Sequence, residues 1–409
     1  MRSIISLRFS DLNGVLKEVL ISEREFEKAS SKGVWFDGSS IEGFARRYES
    51  DMMLMPDTTT HYVINGVKTY FCDVYKFGEP FEGDPRTILK KTLKEVEEKD
   101  DVTLIAAGEL EFYVLRGGEP IDGGSYFDVS PRDKANELKV AIANKLLEAG
   151  IEWSSGHHEV GPGQNEIDIL HDHGLRIADK TLLTKNIIKL VCESMDFKAS
   201  FMPKPFYGKA GNGLHIHLSL WSGGENMFYD ERDLYKLSSI AKNFIAGVFE
   251  HIDGITAIAN PTINSYKRLG EFEAPKYVYW GMRNRDALIR IPEFHSKEEA
   301  RIELRSPDPS SNPYLLFSAV MVAGLDGIRR NLEPPEPIEK DIYEHGIYKE
   351  LPTLPLTLEK AIDALEGDKL LRKALGLAGE NFLNLKRQEW MEYVTRKITD
   401  WERERYFDV

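Results

Sequence analysis

The sequence contains little cysteine and no long apolar run. Its two cysteines, Cys72 and Cys192, stand far apart in apolar surroundings and form no CxxC motif, which indicates buried thiols in a reducing compartment. No stretch approaches the roughly 18 consecutive apolar residues that a membrane-spanning helix requires. Arg8 and Asp11 interrupt the N-terminal segment too early for the apolar region of a signal peptide. We therefore expect a cytoplasmic protein with no membrane partner.

The sequence also lacks the positive charge of a nucleic-acid-binding protein. Its 409 residues carry a formal net charge of -14, whereas proteins that bind a phosphate backbone present basic surfaces. We therefore expect no nucleic-acid partner. With 42% hydrophobic and 29% charged residues, the chain is long enough for two domains and a sizeable core.

The first part of the chain predicts mainly strands. The strands expected there are 4–9, 14–21 and 69–75. Asp84 and Pro85 then suit the N-cap and the first position of a helix that runs to about Lys99. We place a domain boundary at this helix, with an N-terminal domain over 1–82 and a larger domain over 83–409.

Beyond residue 103, polar-faced strands alternate with segments whose apolar residues recur at three- and four-residue spacing, the period of a helix. The helices predicted in this way are 134–149, 175–195, 234–249, 314–331, 358–365 and 370–401. This pattern is typical of an α+β domain in which helices back a sheet.

Two carboxylates mark the strand predicted over 103–115. Because strand side chains alternate between faces, Glu109 and Glu111 point one way while Leu110 and Phe112 point the other. Like charges that are half-buried side by side repel each other, raise a pKa or share a cation. Taken alone, such a pair is more often the solvated face of an antiparallel sheet than a site.

Similar groupings recur in other segments, which favours a site. They place His215 with His217, Glu303 with Arg305, and Glu159 with Glu166 on either side of a Gly-Pro-Gly turn. Strands that aim acids, imidazoles and a guanidinium inward predict one polar cavity lined by a sheet. Carboxylate oxygens with one or two imidazoles suit Mg²⁺ or Mn²⁺ better than Zn²⁺.

Seven segments resemble the type I glutamine synthetase family, in family order and across nearly the whole chain. They are residues 36–44, 108–112, 157–166, 202–205, 260–268, 283–285 and 301–314. The resemblance implies an α+β fold, in which a β-grasp N-terminal domain precedes a catalytic domain with an antiparallel sheet backed by helices. It also implies a homododecamer of two stacked hexameric rings, with active sites between neighbouring subunits.

The resemblance further implies two or more Mg²⁺ or Mn²⁺ ions per active site and ATP as a co-substrate. The ion ligands that it implies are Glu111, Glu159 and Glu166 on the glutamate side, and Glu109, His215 and Glu303 on the nucleotide side. The concentrated negative charge of ATP is compatible with acids aimed at it only where cations lie between them.

Arginines and small polar residues complete the implied site. Arg285 resembles the family's arginine on the transferring phosphoryl group, and the planar fork of an arginine suits the carboxylates of glutamate. The implied nucleotide contacts are His217, Ser219, Arg290 and Arg301, and the implied glutamate contacts are Gly211, Arg268 and Arg305. Outside this context, single surface arginines are more often solvated or paired.

An ammonium pocket is implied by five residues. They are Asp37 and Ser40, donated by the adjacent subunit, with Tyr126, Glu159 and Glu273, the last on a flap that shields the acyl phosphate. From the local sequence alone, a turn role for Asp37 is slightly favoured, because Asp-Gly is a common hairpin signal. The implied reaction is phosphorylation of the γ-carboxylate of glutamate by ATP, followed by attack of ammonia on the γ-glutamyl phosphate.

Three departures from the family pattern leave the acceptor open. Ala210 stands where glutamine synthetases usually carry an asparagine, and the flap at 269–273 is shorter than usual. Residues 211–217 and 279–281 look more like the related γ-glutamyl-amine ligases. We favour ammonia, because the aspartate and the tyrosine of its pocket are present. The alternatives are a γ-glutamyl ligase for a polyamine or monoamine, and a catalytically silent relative with an assembly or sensor role.

Two further residues bear on regulation. Arg46 matches an arginine that some subclasses use for feedback inhibition by glutamine, and a surface arginine without consequence fits equally well. Tyr343 lies near the family's modification loop, but its neighbours differ from the family pattern. We therefore do not predict adenylylation.

Overall fold

The computed structural model describes residues 4–44, 50–282 and 284–409. Arg46, the predicted feedback residue, lies outside the described residues. Among the helices of the described ranges, none combines the length and the apolar character needed to cross a membrane.

A mixed sheet forms the N-terminal part of the molecule. Its strands are β1 Ile4–Ser10, β2 Leu16–Ser22, β3 Val34–Asp37, β4 Asp51–Pro56, β5 Tyr62–Ile64, β6 Val67–Lys76 and β7 Glu79–Pro80. The main path runs β2-β1-β6-β4-β3, and β1 pairs with β6 in parallel. The strands predicted at 4–9 and 69–75 are confirmed, each slightly extended.

The turn between β1 and β2 is longer than predicted. The Asp11 carboxylate accepts hydrogen bonds from the N–H groups of Asn13 and Val15 at 3.0 and 2.9 Å. Gly14 adopts a φ of 73°, which is accessible to glycine at little cost. These features keep Gly14 and Val15 in the turn, so the strand predicted from residue 14 begins at Leu16.

A second sheet lies at the centre of the larger part of the molecule. Its strands are β8 Thr103–Arg116, β9 Glu119–Pro120, β10 Trp153–His158, β11 Gln164–His173, β12 Lys198–Ser200, β13 Leu214–Ser222, β14 Glu225–Asn226, β15 Trp280–Gly281, β16 Ile289–Arg290 and β17 Ile302–Leu304. The main path runs β10-β11-β8-β13-β17-β16-β15. Its pairs are antiparallel except for the parallel pair of β15 and β16.

The described ranges also contain helices, several of which pack against the two sheets and on one another. They are α1 Phe26–Lys32, α2 Pro85–Asp100, α3 Asn136–Ala149, α4 Gly174–Ser194, α5 Ser239–Glu250, α6 Ile252–Ala259, α7 Pro313–Arg330, α8 Leu358–Gly367, α9 Lys369–Arg396 and α10 Asp400–Tyr406. Helices α2 and α4 contact β8, and α7 contacts α2, α5 and α9. The Asp84 carboxylate caps α2 by accepting the N–H of Thr87 at 3.0 Å, as predicted.

The helix predicted over 234–249 begins late. The Asp233 carboxylate accepts the N–H groups of Tyr235 and Leu237, which holds this segment in a turn. The Ser238 hydroxyl then accepts the N–H of Ala241 and caps α5. Local side-chain capping therefore outweighs the apolar periodicity at this end.

The helix predicted over 370–401 is interrupted. Gly376 departs from helical geometry within α9, with a φ of 49° and a ψ of -135°. Thr399 and Glu402 form a capping box that starts α10 as a separate helix. The apolar spacing predicts the helical character of the segment but not these breaks.

One continuous apolar core joins the two sheets. Leu7 and Phe9 of β1 belong to the same cluster of buried side chains as Leu104 and Leu110 of β8. Helix α2 contacts β1, β6 and β8. The predicted domain boundary at residue 83 therefore stays a prediction.

Candidate active site

Strand β8 lies between β11 and β13, and strand register brings its acids to their neighbours. Glu109 stands opposite His215 of β13 and Asp168 of β11. Glu111 stands opposite Glu166. Because alternate side chains share one face of a sheet, this register gathers acids and imidazoles on the same face.

Strand β17 extends this polar face. Glu303 stands opposite His217 of β13 and Arg290 of β16. Its buried carboxylate accepts hydrogen bonds from Arg290 and Arg305 at 2.9 and 2.6 Å. Burial opposes ionisation, but the charge of Arg305 holds the pKa of Glu303 below its ordinary value.

A cavity of about 480 Å³ opens over this face. The predicted site residues that line it are Glu109, Glu111, Tyr126, Glu159, Glu166, Gly211, His215, Arg268, Glu273, Arg285, Arg290 and Arg305. Glu303 lies directly behind two of the arginines. Segments that are distant in the sequence thus meet in one polar cavity, which we call the acid cavity.

A second cavity of about 450 Å³ adjoins the acid cavity and shares Glu109 with it. The predicted nucleotide contacts His217, Ser219 and Arg301 line it. The indole N–H of Trp221, also in the lining, donates to the Ser219 hydroxyl at 3.0 Å. Apolar strand residues beside a guanidinium suit a ligand with a flat base and an anionic group.

Glu109 connects the two cavities. Its carboxylate oxygens lie 2.9 Å from Nδ1 of His215 and 2.7 Å from Nε2 of His217. Burial raises the pKa of Glu109, but the two imidazoles outweigh burial and hold the pKa well below its ordinary value. This carboxylate is therefore ionised and able to serve as an oxygen ligand.

Three other acids around Glu109 behave in the opposite way. Burial raises the pKa of Glu111, and burial together with the charge of Glu109 raises the pKa of Glu166 well above its ordinary value. Burial likewise raises the pKa of Asp168 to about 6. Buried like charges are costly unless a cation compensates them, so this donor set fits a divalent metal.

Ligand atoms at the site are close enough together to hold ions. Within each of three groups, they lie no more than 4.8 Å apart: Glu109, His217 and Glu303; Glu109, Glu166 and His215; and His157, Glu159 and Glu166. These groups differ from the predicted triplets. Glu111 belongs to none of them in the described part of the chain, whereas His157 and His217 join them.

Glycine permits the close packing around Glu111. The N–H of Gly213 donates to the Glu111 carboxylate at 2.8 Å, and Gln164 Nε2 donates to it at 3.0 Å. A Cβ at Gly213 would lie 2.8 Å from His215 Nε2 and 3.1 Å from Glu111 Oε1. The motifs contained Gly213 and Gln164, but sequence reasoning assigned neither a role.

Three arginines, Arg268, Arg290 and Arg305, line the acid cavity beside these acids. Arg268 donates to the backbone carbonyls of Ser306 and Arg305 at 2.8 and 3.3 Å. The buried Nε atoms of Arg290 and Arg305 have no hydrogen-bond partner among the described residues. Both side chains also line the acid cavity, where a guanidinium can bind a carboxylate or a phosphate.

The flap at residues 269–273 borders one end of the acid cavity through Glu271, Phe272 and Glu273. The carboxylate of Glu273 lies 3.9 Å from the guanidinium of Arg285. That guanidinium lies 5.8 Å from the centre of the Tyr126 ring. The structure therefore brings these three predicted residues together, and their roles stay predictions.

Lys204 contacts the inner side of the flap. The sequence analysis assigned this lysine no role. Its buried ammonium donates to the carbonyl of Lys209 at 2.6 Å and lies 3.4 Å from the Glu271 carboxylate. It also lies 5.0 Å from the centre of the Phe272 ring, and Phe272 has a left-handed φ of 55°. The contact joins residues far apart in sequence, so no local signal marks it.

His157 is a second residue that sequence reasoning left without a role. Its Nε2 lies 2.9 Å from Glu159 and 3.6 Å from Glu166. The rings of Tyr126 and Phe127 meet it edge-on, with centroids at 5.3 and 4.6 Å. The sequence did contain a signal for this role, because His157 lies two residues before the predicted metal ligand Glu159.

Asp37 and Ser40 lie together at the end of β3. The Asp37 carboxylate accepts the N–H of Ser39 at 2.9 Å and the hydroxyl of Ser40 at 3.1 Å. Neither residue lines the two cavities of its own chain. These bonds are typical of a turn, and donation to an adjacent subunit stays a prediction.

The fold and the site together define a class of enzyme. A mixed N-terminal sheet precedes a central antiparallel sheet that aims acids, imidazoles and arginines into two adjoining cavities. Such a site can neutralise a polyanionic nucleotide beside a carboxylic acid. The class is that of nucleotide-dependent ligases.

Comparisons with known proteins define the family. Residues 2–77 match the model of the glutamine synthetase β-grasp domain, and residues 82–406 match that of the glutamine synthetase catalytic domain. The glutamine synthetase of Thermococcus kodakarensis is 42% identical over an alignment of 426 positions, which covers 98% of this chain and 95% of the relative. That of Thermotoga maritima is 43% identical over an alignment of 422 positions, with the same coverage of 98% and 95%.

Solved structures agree with this comparison. A structure described as "GmaS/ADP complex-Conformation 1" matches with a TM-score of 0.93 and 32% identity, over 100% of this chain and 97% of that chain. The Plasmodium falciparum glutamine synthetase matches with a TM-score of 0.89 and 25% identity, over 99% and 95%. This chain belongs to the glutamine synthetase family and is a ligase. The predicted α+β fold with an N-terminal β-grasp domain is confirmed.

Proposed function

We propose that this protein uses ATP to join ammonia to glutamate and form glutamine, through a γ-glutamyl phosphate. The observation that supports this most is the meeting of glutamates and arginines from distant segments around two adjoining cavities. The glutamine synthetases that match nearly the whole chain support the same reaction.

Two Mg²⁺ or Mn²⁺ ions fit the donor set of the acid cavity. The proposed ligands are Glu111, Glu159 and Glu166 toward glutamate, and Glu109, His215 and Glu303 toward the nucleotide. When bound, such ions neutralise phosphate charge. The raised pKa values of Glu111 and Glu166 support this proposal, because a nearby cation is what would keep both carboxylates ionised.

The arginines of the acid cavity position the two anionic substrates. Arg268 and Arg305 hold the carboxylates of glutamate, and the backbone at Gly211 comes close enough to join them because a Cβ there would lie 2.8 Å from Arg268. Arg285 reaches the transferring phosphoryl group from the flap. The nucleotide phosphates contact His217, Ser219, Arg290 and Arg301. Positioning and charge stabilisation are what phosphoryl transfer requires from a protein.

Ammonium is captured beside the flap. Tyr126, Glu159 and Glu273 line this end of the acid cavity. A carboxylate there accepts a proton from ammonium while the closed flap excludes water from the acyl phosphate. Asp37 and Ser40 of an adjacent subunit complete the pocket.

This last contribution requires an oligomer. We propose a cytoplasmic homododecamer of two hexameric rings, with the domains 1–82 and 83–409 and with neither a membrane nor a nucleic acid as partner. Asp37 and Ser40 support the assembly, because they lie outside both cavities of their own chain. Two experiments test this assembly. The first measures the mass of the protein in solution. The second mixes Asp37→Ala chains with Glu303→Ala chains, each inactive alone, and measures the activity of the mixture. Partial recovery of activity in the mixture is expected, and no recovery would contradict shared sites.

A phosphate-release screen tests the reaction itself. The protein is given glutamate, ATP and Mg²⁺ with ammonium, a monoamine or a polyamine. We expect release with ammonium at least about tenfold faster than with either amine, because the pocket is built for a small cation. Release with an amine but not with ammonium would refute glutamine synthesis. Glu303→Ala should be inactive, and unchanged activity of this variant would refute its role as a ligand.

A second candidate is a γ-glutamyl ligase for an alkylamine. Ala210 favours it, because this small residue lines the acid cavity and offers only its backbone as a polar group. Its carbonyl already accepts the Tyr113 hydroxyl at 2.8 Å. The amine arms of the same screen separate the two candidates.

A further inference from the structure

A third cavity lies between the N-terminal sheet and the helices, and we call it the lysine cleft. It has a volume of about 740 Å³ and is walled by the β1–β2 turn at residues 13–16, by α4 and by α9. It shares no lining residue with the acid cavity or with its neighbour. The proposed reaction therefore leaves it without a role.

Two lysines of α4 face the lysine cleft one helical turn apart. The ammonium groups of Lys185 and Lys189 each lie 5.7 Å from the centre of the Phe201 ring. Lys185 donates a hydrogen bond to the carbonyl of Pro309. Neither lysine has a carboxylate within ion-pair distance in the described part of the chain. Two like charges at this spacing destabilise a helix unless an anion lies between them.

Two of the three acids that line the lysine cleft are paired with lysines. Glu389 pairs with Lys386 at 3.0 Å, and Glu392 pairs with Lys397 at 3.1 Å. The third acid, Glu42, accepts the neutral side-chain amide of Asn13 at 3.1 Å, which leaves its charge in place. The two lysines of α4 outnumber this one carboxylate, so the net charge left in the lysine cleft is positive.

We propose that the lysine cleft binds a small dianion, a dicarboxylate or a phosphate, between Lys185 and Lys189. Either ligand accepts hydrogen bonds from both ammonium groups and supplies the missing counter-charge. The side chain of Asn186 adds a donor, because Arg8 donates to its oxygen at 2.9 Å and its nitrogen has no partner among the described residues. The bound anion bridges the N-terminal sheet and α4.

The electrostatics of Lys185 agree with this site. Burial lowers the pKa of Lys185 to about 8. The charge of Lys189 adds to this effect, and the charge of Asp308 opposes it. A bound dianion favours the charged form and returns this pKa toward its ordinary value. The neutral fraction of Lys185, which is the form that acylating reagents attack, therefore falls when the lysine cleft is occupied.

Site-resolved acetylation tests the proposal on the full protein with Mg²⁺ present. The modification rate of each lysine is measured by mass spectrometry with added succinate, inorganic phosphate, or sodium chloride at equal ionic strength. At an anion concentration of ten times Kd, we expect about tenfold slower modification of Lys185 and Lys189. Lys373, an exposed lysine of α9, is the control and should keep its rate. Protection by succinate alone identifies a dicarboxylate, and protection by phosphate alone identifies a phosphate ligand.

Three results would overturn the proposal. The first is protection of Lys373 equal to that of Lys185 and Lys189. The second is no more protection of these two lysines by succinate or phosphate than by sodium chloride. The third is failure of Lys185 to react without any anion, which would mean that the lysine cleft is closed to solvent.

A melting experiment adds a second readout. The rise in Tm caused by the protecting anion should vanish in Lys185→Gln/Lys189→Gln and persist in Lys373→Gln. A rise that persists in the double variant would place the anion elsewhere.

Discussion

Two regions of this molecule bury charge in different ways. At the junction of the N-terminal sheet with α2 and α4, Arg86 is 2% exposed and donates to Asp57 at 2.9 Å and to both oxygens of Asp179 at 3.0 and 3.1 Å. Asp73 and Tyr314 complete this cluster, which we call the Arg86 centre. In the acid cavity, by contrast, Glu111 and Glu166 have raised pKa values and no guanidinium within ion-pair distance among the described residues.

The difference lies in where the compensating charge comes from. In the Arg86 centre, the chain itself supplies the guanidinium. Hydrogen bonds from Thr59 and Arg86 lower the pKa of Asp57 to about 2 against burial, whereas complete burial keeps the pKa of Asp179 raised although Arg86 offsets part of that effect. In the acid cavity, compensation of Glu111 and Glu166 is left to a ligand. Similar buried carboxylates therefore stabilise the fold in one region and reserve a binding site in the other.

The largest expected effect tests the acid cavity. Glu166→Gln should lower the rate of phosphate release by about a thousandfold, because one charged ligand near the reacting phosphate is lost. Glu152→Gln, which alters an exposed acid just before β10, is the matched control and should keep the rate. A rate of phosphate release for Glu166→Gln within a few-fold of wild type would contradict the view that the acids of the acid cavity serve a bound ligand.

The same variant should behave in the opposite way in stability measurements. Without divalent cations, Glu166→Gln should melt at a higher temperature than wild type near pH 7. A carboxyl whose folded pKa is raised costs stability at any pH above its unfolded pKa, so removing the charge relieves this cost. A lower Tm would mean that the carboxylate is compensated within the chain.

The next effect tests the Arg86 centre. Arg86→Met should reduce the free energy of unfolding by about 3–5 kcal/mol, because it leaves buried carboxylates without their partner. Arg329→Met is the control, since Arg329 pairs with Asp100 at the surface and should cost at most about 1 kcal/mol. Urea unfolding measures both. Equal losses of unfolding free energy in the two variants would show that the buried Arg86 centre stabilises the fold no more than a surface ion pair does.

A third prediction concerns Lys204, a buried cation that serves the flap. Lys204→Met should lower kcat/KM for ammonium by about ten- to a hundredfold, because the flap loses its inner anchor and its alignment. ATP hydrolysis without glutamine formation should rise at the same time. Lys204→Arg, which keeps the charge, should restore much of the coupling. Tight coupling in Lys204→Met would refute the anchoring role.

The smallest effect comes from His251, which lines neither cavity of the proposed site and lies between two acids. Its Nδ1 lies 2.6 Å from Asp368 and its Nε2 lies 3.2 Å from Asp326. The hydrogen bond to Asp368 raises the pKa of His251 above its ordinary value against the opposing effect of burial. This stabilisation is complete below the unfolded pKa and is lost as the pH rises through the folded one.

His251→Gln should therefore lose more stability at pH 5.5 than at pH 9. We expect a difference of about 1.5 kcal/mol, the value of a hydrogen bond to a charged group. Urea unfolding at the two pH values measures it. A loss that does not change with pH would mean that His251 is neutral between its two acids.

Much of the fold was predictable because its signals are local. The alternation of apolar and polar residues predicts β8 over 103–115, and the structure has Thr103–Arg116. The Asp84-Pro85 pair predicts the start of α2. The errors occur where side-chain capping competes with periodicity, as at Asp233 before α5 and Thr399 before α10.

The site was predictable in part. Repeated pairs of polar residues on strands identify Glu109, Glu111 and His215, since period-two alternation requires each pair to share a face. Lys204 and His157 were not assigned roles, because their contacts with the flap and with Glu166 depend on segments distant in sequence or on strand pairing.

By itself, the sequence determined most of the strands and helices, the acidic balance of the chain and the residue types that suit metal ions, because each of these is a property of side chains and their local spacing. Only the tertiary structure decided that Glu109 lies between two imidazoles, that Arg86 meets three aspartates and that two lysines are left facing an open cleft. Those outcomes follow from strand order, register and the packing of helices, which long-range hydrogen bonds and burial establish together and which no local pattern contains.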